Sequence, residues 1–270
     1  MIESQTFFQL ALLGLVTGFV AGLMGMGGGV LVAPFLTIIL SARGVSADMA
    51  VKMSIATSMA TIAFTSFSSV LAHHRRGAVR WELVKGLAPG IVIGGSVGSM
   101  GIFSLVKGTS LAVMFAVFIC FFSFQLLRGT GAVRHRPLPG RVGQVAAGSI
   151  IGLLAGLVGA GGAFLSTPFM LAHDVALINA VATSAALGFP VAIVNAAGYA
   201  LSGQGKSGLP AGALGYIWLP ALAVVASCSV MTAPLGARVA HSLPVAHFRR
   251  VMAAILLILA SYMLWKGLNG

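Results

Sequence analysis

The sequence carries very little charge. Asp, Glu, Lys and Arg make up only 7% of its 270 residues, and just four of these residues are acidic. A water-soluble globular domain has about a quarter charged residues, so this chain could not cover a soluble surface. It has two cysteines, Cys120 and Cys228, and both lie within apolar runs, where they suggest no disulfide framework.

The short motifs that mark enzymes and metal sites are also missing. The sequence contains no His-Glu-x-x-His, no Cys-x-x-Cys and no Gly-x-Ser-x-Gly. No acidic residue lies near the middle of an apolar run. We therefore expect no enzyme activity, no cofactor and no metal site.

Long apolar runs dominate the chain instead. Hydrophobic residues make up 58% of it and the mean hydropathy is +1.03, with recurring runs of about 20 residues that can cross a hydrocarbon core of about 30 Å. The formal charge of +12 is carried by short connections between these runs, which is typical of topology signals rather than of a nucleic-acid surface. The sequence predicts an all-α, multi-pass membrane protein with about eight transmembrane helices, whose partners are the lipid bilayer and a small solute but no nucleic acid.

The chain contains an internal repeat. Residues 18–28 (GFVAGLMGMGG) recur at 152–162 (GLLAGLVGAGG), and the triplet at 56–58 (ATS) recurs at 182–184. We predict two homologous halves, 1–128 and 143–270, joined by a basic linker at 129–142.

Hydrophobic patterning predicts five helices in each half. They are expected at 7–24, 28–40, 49–71, 86–106 and 109–127, and again at 143–158, 162–172, 175–201, 211–237 and 246–265.

Each half should open with a helix broken by glycine. Residues 7–40 form an apolar stretch that is too long for one straight span at about 1.5 Å per residue, and its middle has almost no helix-stabilising side chain. If each broken segment crosses the bilayer once, the chain has eight spans, and Lys and Arg divide ten to six between the faces. If each segment is re-entrant, the repeats are inverted and the division is eleven to five. Charge does not distinguish these topologies.

The paired breaks are the candidate binding site. Unpaired backbone groups cost several kcal/mol each inside a bilayer, so a break is tolerated where it lines a cavity. A helix that starts there directs free N–H groups and a positive dipole end at the cavity, which favours an anion. The candidate ligands are the break glycines and two hydroxyl pairs on the following helices: Gly25, Gly27, Gly28, Thr57, Ser58, Gly159, Gly161, Gly162, Thr183 and Ser184.

Each of these features has a purely structural alternative. Small residues allow close helix packing, and Ser and Thr hydroxyls bond to their own helix or bridge neighbouring helices. Asp48 and Asp174 precede predicted helices and are expected to be N-caps. Arg75 and Arg76 end a predicted helix, where cations complement the dipole, and their alternative role is to collect anions or form a gate.

The glycine-rich repeats resemble the TauE/SafE family of sulfite and organosulfonate exporters. The resembling residues are 22–29 (GLMGMGGG) through Pro34, 156–162 (GLVGAGG) through Pro168, the two Ala-Thr-Ser triplets and the loop at 75–77. The resemblance implies a permease of the bacterial inner membrane for small sulfur-containing anions such as sulfite, thiosulfate or sulfoacetate.

Export by alternating access is the simplest direction for such a permease, because an inside-negative potential favours anion exit by about 2.3 kcal/mol per 100 mV. In our working hypothesis the two broken helices meet near the midplane and present backbone amides and the four hydroxyls to one oxyanion. The alternatives are proton-coupled uptake of an organic anion and a membrane scaffold or sensor that transports nothing. The sequence does not decide whether the protein forms a homodimer.

Overall fold

A computed structural model describes residues 4–24, 28–128, 137–206, 208–239 and 245–269. These residues form ten helices and one short β-hairpin. The first five helices are α1 Ser4–Met24, α2 Gly29–Ala42, α3 Ala47–His74, α4 Trp81–Leu105 and α5 Gly108–Arg128. The others are α6 Arg141–Val158, α7 Ala163–Leu171, α8 Leu177–Ser202, α9 Leu219–Val239 and α10 Val245–Asn269, with β1 Ala213–Leu214 and β2 Ile217–Trp218 between α8 and α9.

The all-α membrane architecture is confirmed. Eight of the described helices, all except α2 and α7, are long and apolar enough to cross a bilayer. The expected start of the ninth helix at residue 211 is wrong, because residues 213–218 form the antiparallel hairpin instead. Gly212 and Gly215, with φ of +81° and +55°, take left-handed conformations that a right-handed helix cannot continue through.

Both glycine breaks are present. The first separates α1, which ends at Met24, from α2, which begins at Gly29, and the second separates α6 from α7 at residues 159–162. Gly28 and Gly159 have φ of +67° and +71°, a conformation that other residues adopt only with strain. Gly25 and Gly27 lie outside the described residues.

The first short helix turns back towards the start of α1. Arg43, just after α2, donates a hydrogen bond from Nη1 to Oγ1 of Thr6 at 3.0 Å. Leu36 and Leu40 of α2 belong to the same buried cluster as Leu10 and Leu13 of α1. The segment is therefore re-entrant, and α3 begins on the same face of the protein as α1.

The two halves are inverted relative to each other. Equivalent helices α3 and α8 run antiparallel: Gly188 of α8 packs on Ser66, near the end of α3, and the rings of Phe67 and Phe189 are 5.9 Å apart. At the other end of the pair, the hairpin that follows α8 lies beside the start of α3, where Lys52 contacts Tyr216. This contact pattern selects the re-entrant, inverted topology that charge counting left undecided.

The halves interlock through their first and fourth helices. α1 packs in parallel on α9, and α6 packs in the same way on α4. Gly90 and Gly94 of α4 lie directly against backbone atoms of Val145 and Ser149 of α6, and a Cβ on Gly94 would be only 1.9 Å from the Ser149 oxygen. Only glycine allows this approach, so each half completes its packing against the other.

This topology divides the connections between two faces. The terminal face carries the starts of α1 and α3, the end of α8 and the end of α10. The linker face carries the ends of α3 and α9 and the connection from α5 to α6, of which residues 129–136 lie outside the described part. By sequence position, eleven of the 16 Lys and Arg residues belong to the linker face and five to the terminal face.

Candidate functional site

The two breaks meet at the middle of α3. The Oγ of Ser58 is 2.7 Å from the backbone oxygen of Gly29 and 3.3 Å from that of Gly159, so one buried hydroxyl contacts both breaks. Ile55, one turn earlier on α3, packs so closely on Gly159 that a Cβ there would be 2.7 Å from its Cγ2. Of the predicted site residues, the structure brings Ser58, Gly159 and the Gly28 region together.

The starts of the two short helices lie on either side of one small apolar cavity. The N-cap residues of α2 and α7 are the glycines Gly28 and Gly162, so neither short helix has a side-chain N-cap. The cavity between them has a volume of about 10 Å³, close to that of a single water molecule and too small for a sulfur oxyanion. Its lining residues are Val20, Gly28, Val30, Leu31, Phe164, Met252 and Leu256. The breaks are therefore closed in this conformation.

The remaining break glycines are also tightly enclosed. Gly161 has a φ of +59°, and a Cβ on Gly162 would lie 2.9 Å from Cγ2 of Val191 on α8. The backbone of the second break can approach α8 this closely because these positions have no side chain.

The two predicted threonines connect the halves to each other. Oγ1 of Thr57 accepts the N–H of Trp218, just before α9, and Oγ1 of Thr183 accepts the N–H of Arg80, just before α4, each at 2.9 Å. Each third helix thus holds the start of the other half's fourth helix. A hydroxyl that accepts an N–H keeps its own proton for a further acceptor, so these contacts leave each threonine one donor.

The second predicted pair is separated from the first. Ser184 accepts hydrogen bonds from Ser166 and Thr167 of α7, at 2.9 and 2.8 Å. Because Gly188 faces Ser66, Ser184 lies about 18 Å from Ser58 along the axis of α3 and α8. In this conformation the four hydroxyls therefore do not surround one oxyanion, as the working hypothesis expects. They lie at two separate positions, one in each half of the repeat.

A large cavity opens at the linker face, between the ends of α3 and α9. Its volume is about 330 Å³. Its lining residues are Ser68, Leu71, Ala72, His73, Arg75, Arg76, Pro234 and Arg238. Guanidinium groups bind oxyanions in a bidentate manner and concentrate anions in a cleft, so this basic cavity suits the collection of a small oxyanion. Arg238 is not among the predicted site residues, because the sequence does not show that α9, in the other half of the chain, lies beside the end of α3.

A row of hydroxyls on α3 runs from the breaks to the basic cavity. Ser58, Thr61, Thr65 and Ser68 follow one another at steps of three and four residues, which places them along one side of the helix. The row covers about 15 Å. Thr61 and Thr65 are buried and donate to carbonyls of their own helix, Thr61 to Thr57 at 2.9 Å. These bonds can be exchanged by side-chain rotation without unwinding α3.

The terminal side of the breaks is closed by aromatic rings. The ring of Phe103 lies 4.4 Å from that of Tyr199 and 5.6 Å from that of Tyr216, and the Tyr199 hydroxyl donates to the oxygen of Gly156. Burial, and then the charge of Asp48, raises the pKa of Tyr216, which keeps its phenol protonated.

Asp48 and Lys52 lie next to this aromatic cluster. Asp48 is in the first turn of α3 and is not its N-cap; it accepts the backbone N–H of Gly108 at the start of α5 instead. Asp174 also is not an N-cap, since α8 begins after Ala176 and no side chain caps it. Charge counting treats Lys52 as a connection residue, yet it is buried on α3.

Comparison with known proteins agrees with this architecture. A family model described as "Sulfite exporter TauE/SafE" matches residues 10–263. The chain belongs to the TauE/SafE family. It is 31% identical to a "Probable membrane transporter protein" of Haemophilus influenzae, over 97% of this chain and 99% of the relative. It is also 26% identical to YunE of Bacillus subtilis, a "Probable membrane transporter protein", over 98% and 99% of the two chains.

A third relative is similar over nearly its whole length. A "Probable membrane transporter protein" of Methanocaldococcus jannaschii is 22% identical over 94% of each chain. No solved structure matches the chain. Family and relatives together make this protein a membrane transporter.

Proposed function

We propose that this transporter exports small sulfur-containing anions, such as sulfite, thiosulfate or sulfoacetate, from the cytoplasm by alternating access. The observation that carries the proposal is the basic cavity, which opens at the linker face and is connected by hydroxyls to the paired breaks. The positive-inside rule supports a cytoplasmic linker face, since this face carries eleven of the 16 cations, and we infer that the membrane is a bacterial inner membrane.

The conformation fits the loading state of such an exporter. The basic cavity is open, whereas the breaks enclose a cavity of only about 10 Å³ and aromatic rings cover their terminal side. An anion from the cytoplasm would be collected by Arg75, Arg76 and Arg238 and would then exchange its water for hydroxyls of α3. Uncapped N–H groups at the starts of α2 and α7 would hold it once the breaks open.

The decisive test is transport in inverted membrane vesicles, whose outer surface is the cytoplasmic face. Sulfite uptake into these vesicles should saturate with concentration and should increase when the lumen is made positive. Gly161→Val, which places a branched side chain at a φ of +59°, should reduce uptake to the level of vesicles without the protein, whereas Gly44→Val, at an exposed turn, should transport normally.

Two results would contradict the proposal. Normal uptake by a correctly inserted Gly161→Val variant would remove the breaks from the pathway. Proton-coupled uptake would be indicated instead if a protonophore abolished transport and if the anion entered right-side-out vesicles faster than inverted ones. A panel of anions then defines the substrate by thermal stabilisation, since a ligand at 100 times its Kd stabilises the folded state by about 2.7 kcal/mol.

A further inference from the structure

A buried cation lies on the terminal side of the breaks. Lys52 is only 7% exposed, and its Nζ is 3.7 Å from Oδ2 of Asp48 and 5.8 Å from the centre of the Tyr216 ring. An ammonium group has three N–H donors, and a buried charge is stable only when it is well compensated. The ion pair to Asp48 is longer than a hydrogen bond, so this contact satisfies none of the three N–H donors.

The length of this ion pair has a structural cause. The other carboxylate oxygen of Asp48 accepts the backbone N–H of Gly108, which holds the carboxylate at the start of α5. The Asp48 side chain is also 44% exposed. Asp48 can therefore lose Lys52 at little cost, because Gly108 and water continue to solvate it, whereas Lys52 needs another anion to replace it.

The position of Lys52 relates it to the breaks. It lies one turn before Ile55, the residue that packs on Gly159, and on the same side of α3. It is therefore located between the second break and the terminal face. The equivalent position of the second half is Ile178, which is 53% exposed, so the repeated fold does not itself require a cation there.

We propose that Lys52 is the exit-side anion-binding residue of the transporter. In the closed state its ammonium is held by Asp48 and by the face of Tyr216. A sulfur oxyanion that passes the second break replaces Asp48 on the ammonium, while Asp48 keeps the backbone N–H of Gly108. This inference rests on the proposed function, because it needs an anionic substrate.

The test compares three variants in inverted vesicles with sulfite as the probe. Lys52→Met keeps the length of the side chain and removes the charge, and it should lower the maximal sulfite flux at least tenfold. Lys52→Arg keeps the charge and should retain at least a third of the flux. Lys107→Met removes an exposed cation of the same face and should stay within twofold of wild type.

The Asp48→Asn variant tests whether Lys52 binds the anion or only forms a structural ion pair with Asp48. Its amide oxygen still accepts the Gly108 N–H, but it no longer competes for Lys52. Thermal-shift titration of the purified variant should therefore give a Kd for sulfite at least threefold lower than that of wild type. The double variant Asp48→Asn/Lys52→Met should lose this gain.

The outcomes separate the two levels of the proposal. A wild-type protein that transports sulfite, together with a folded Lys52→Met variant that transports it equally well, refutes the role of Lys52 alone. Weaker sulfite binding by Asp48→Asn also refutes it, because a structural ion pair predicts that result. A wild type that neither binds nor moves any anion of the panel refutes the proposed function, and the exit-side role fails with it.

Discussion

The close contact between Gly159 and Ile55 gives the sharpest prediction about the breaks. An alanine at position 159 would have a φ of +71°, which costs roughly 1–2 kcal/mol for a residue with a side chain. Its Cβ would also lie 2.7 Å from Cγ2 of Ile55 and 3.2 Å from its Cα. Overpacking of this kind costs about 1–3 kcal/mol, so Gly159→Ala should lower the free energy of unfolding by about 2–5 kcal/mol in total.

Gly44→Ala is the matched control for this variant. Gly44 has a φ of +79°, and a Cβ there would meet no atom within 4 Å, so the control carries the backbone cost alone, roughly 1–2 kcal/mol. Both free energies can be measured by unfolding in mixed detergent and SDS micelles. In an Ile55→Ala background the extra cost of Gly159→Ala should shrink towards that of the control. Equal stability of Gly159→Ala and Gly44→Ala would show that the break is not packed against α3.

Three further predictions concern other contacts. Thr57→Val should destabilise the protein by about 1–3 kcal/mol in the same micelle assay, because it leaves the N–H of Trp218 buried without an acceptor. Thr57→Ser keeps the hydroxyl and should cost much less. Equal losses in the two variants would exclude this role of the hydroxyl. Gly94→Leu should prevent recovery of monodisperse protein in size-exclusion chromatography, whereas Gly101→Leu, on the open side of the same helix, should be tolerated. Arg238→Gln should raise the KM for sulfite and weaken its dependence on ionic strength, and an unchanged salt dependence would argue against anion collection in the basic cavity.

Composition and glycine pattern predict the broad architecture because both act locally. The eight long helices follow from apolar length, and the breaks follow from glycine-rich runs that do not support a helix, as at residues 159–162. The orientation of the repeats is not local information. It depends on where α2 goes after the break, and the contact between Arg43 and Thr6 that fixes this is between side chains far apart in sequence.

The candidate site is only partly readable from the sequence for the same reason. The triplets at 56–58 and 182–184 mark important positions, but nothing in them indicates that Thr57 accepts an N–H from the other half of the chain. Lys52 is one residue in a predicted helix next to a connection, and only its packing against Tyr216 shows that it is buried. The role of Arg238 depends on α9 lying beside the end of α3.

The exchange of helices between the halves has a consequence for biosynthesis. α1 enters the membrane first, yet the helix on which it packs, α9, is among the last to be made. Until then the small-residue side of α1, at Gly14 and Gly18, must face lipid or the insertion machinery. A ribosome that stops after the first half would therefore release a fragment with its main packing surface uncovered, a ready target for membrane proteases.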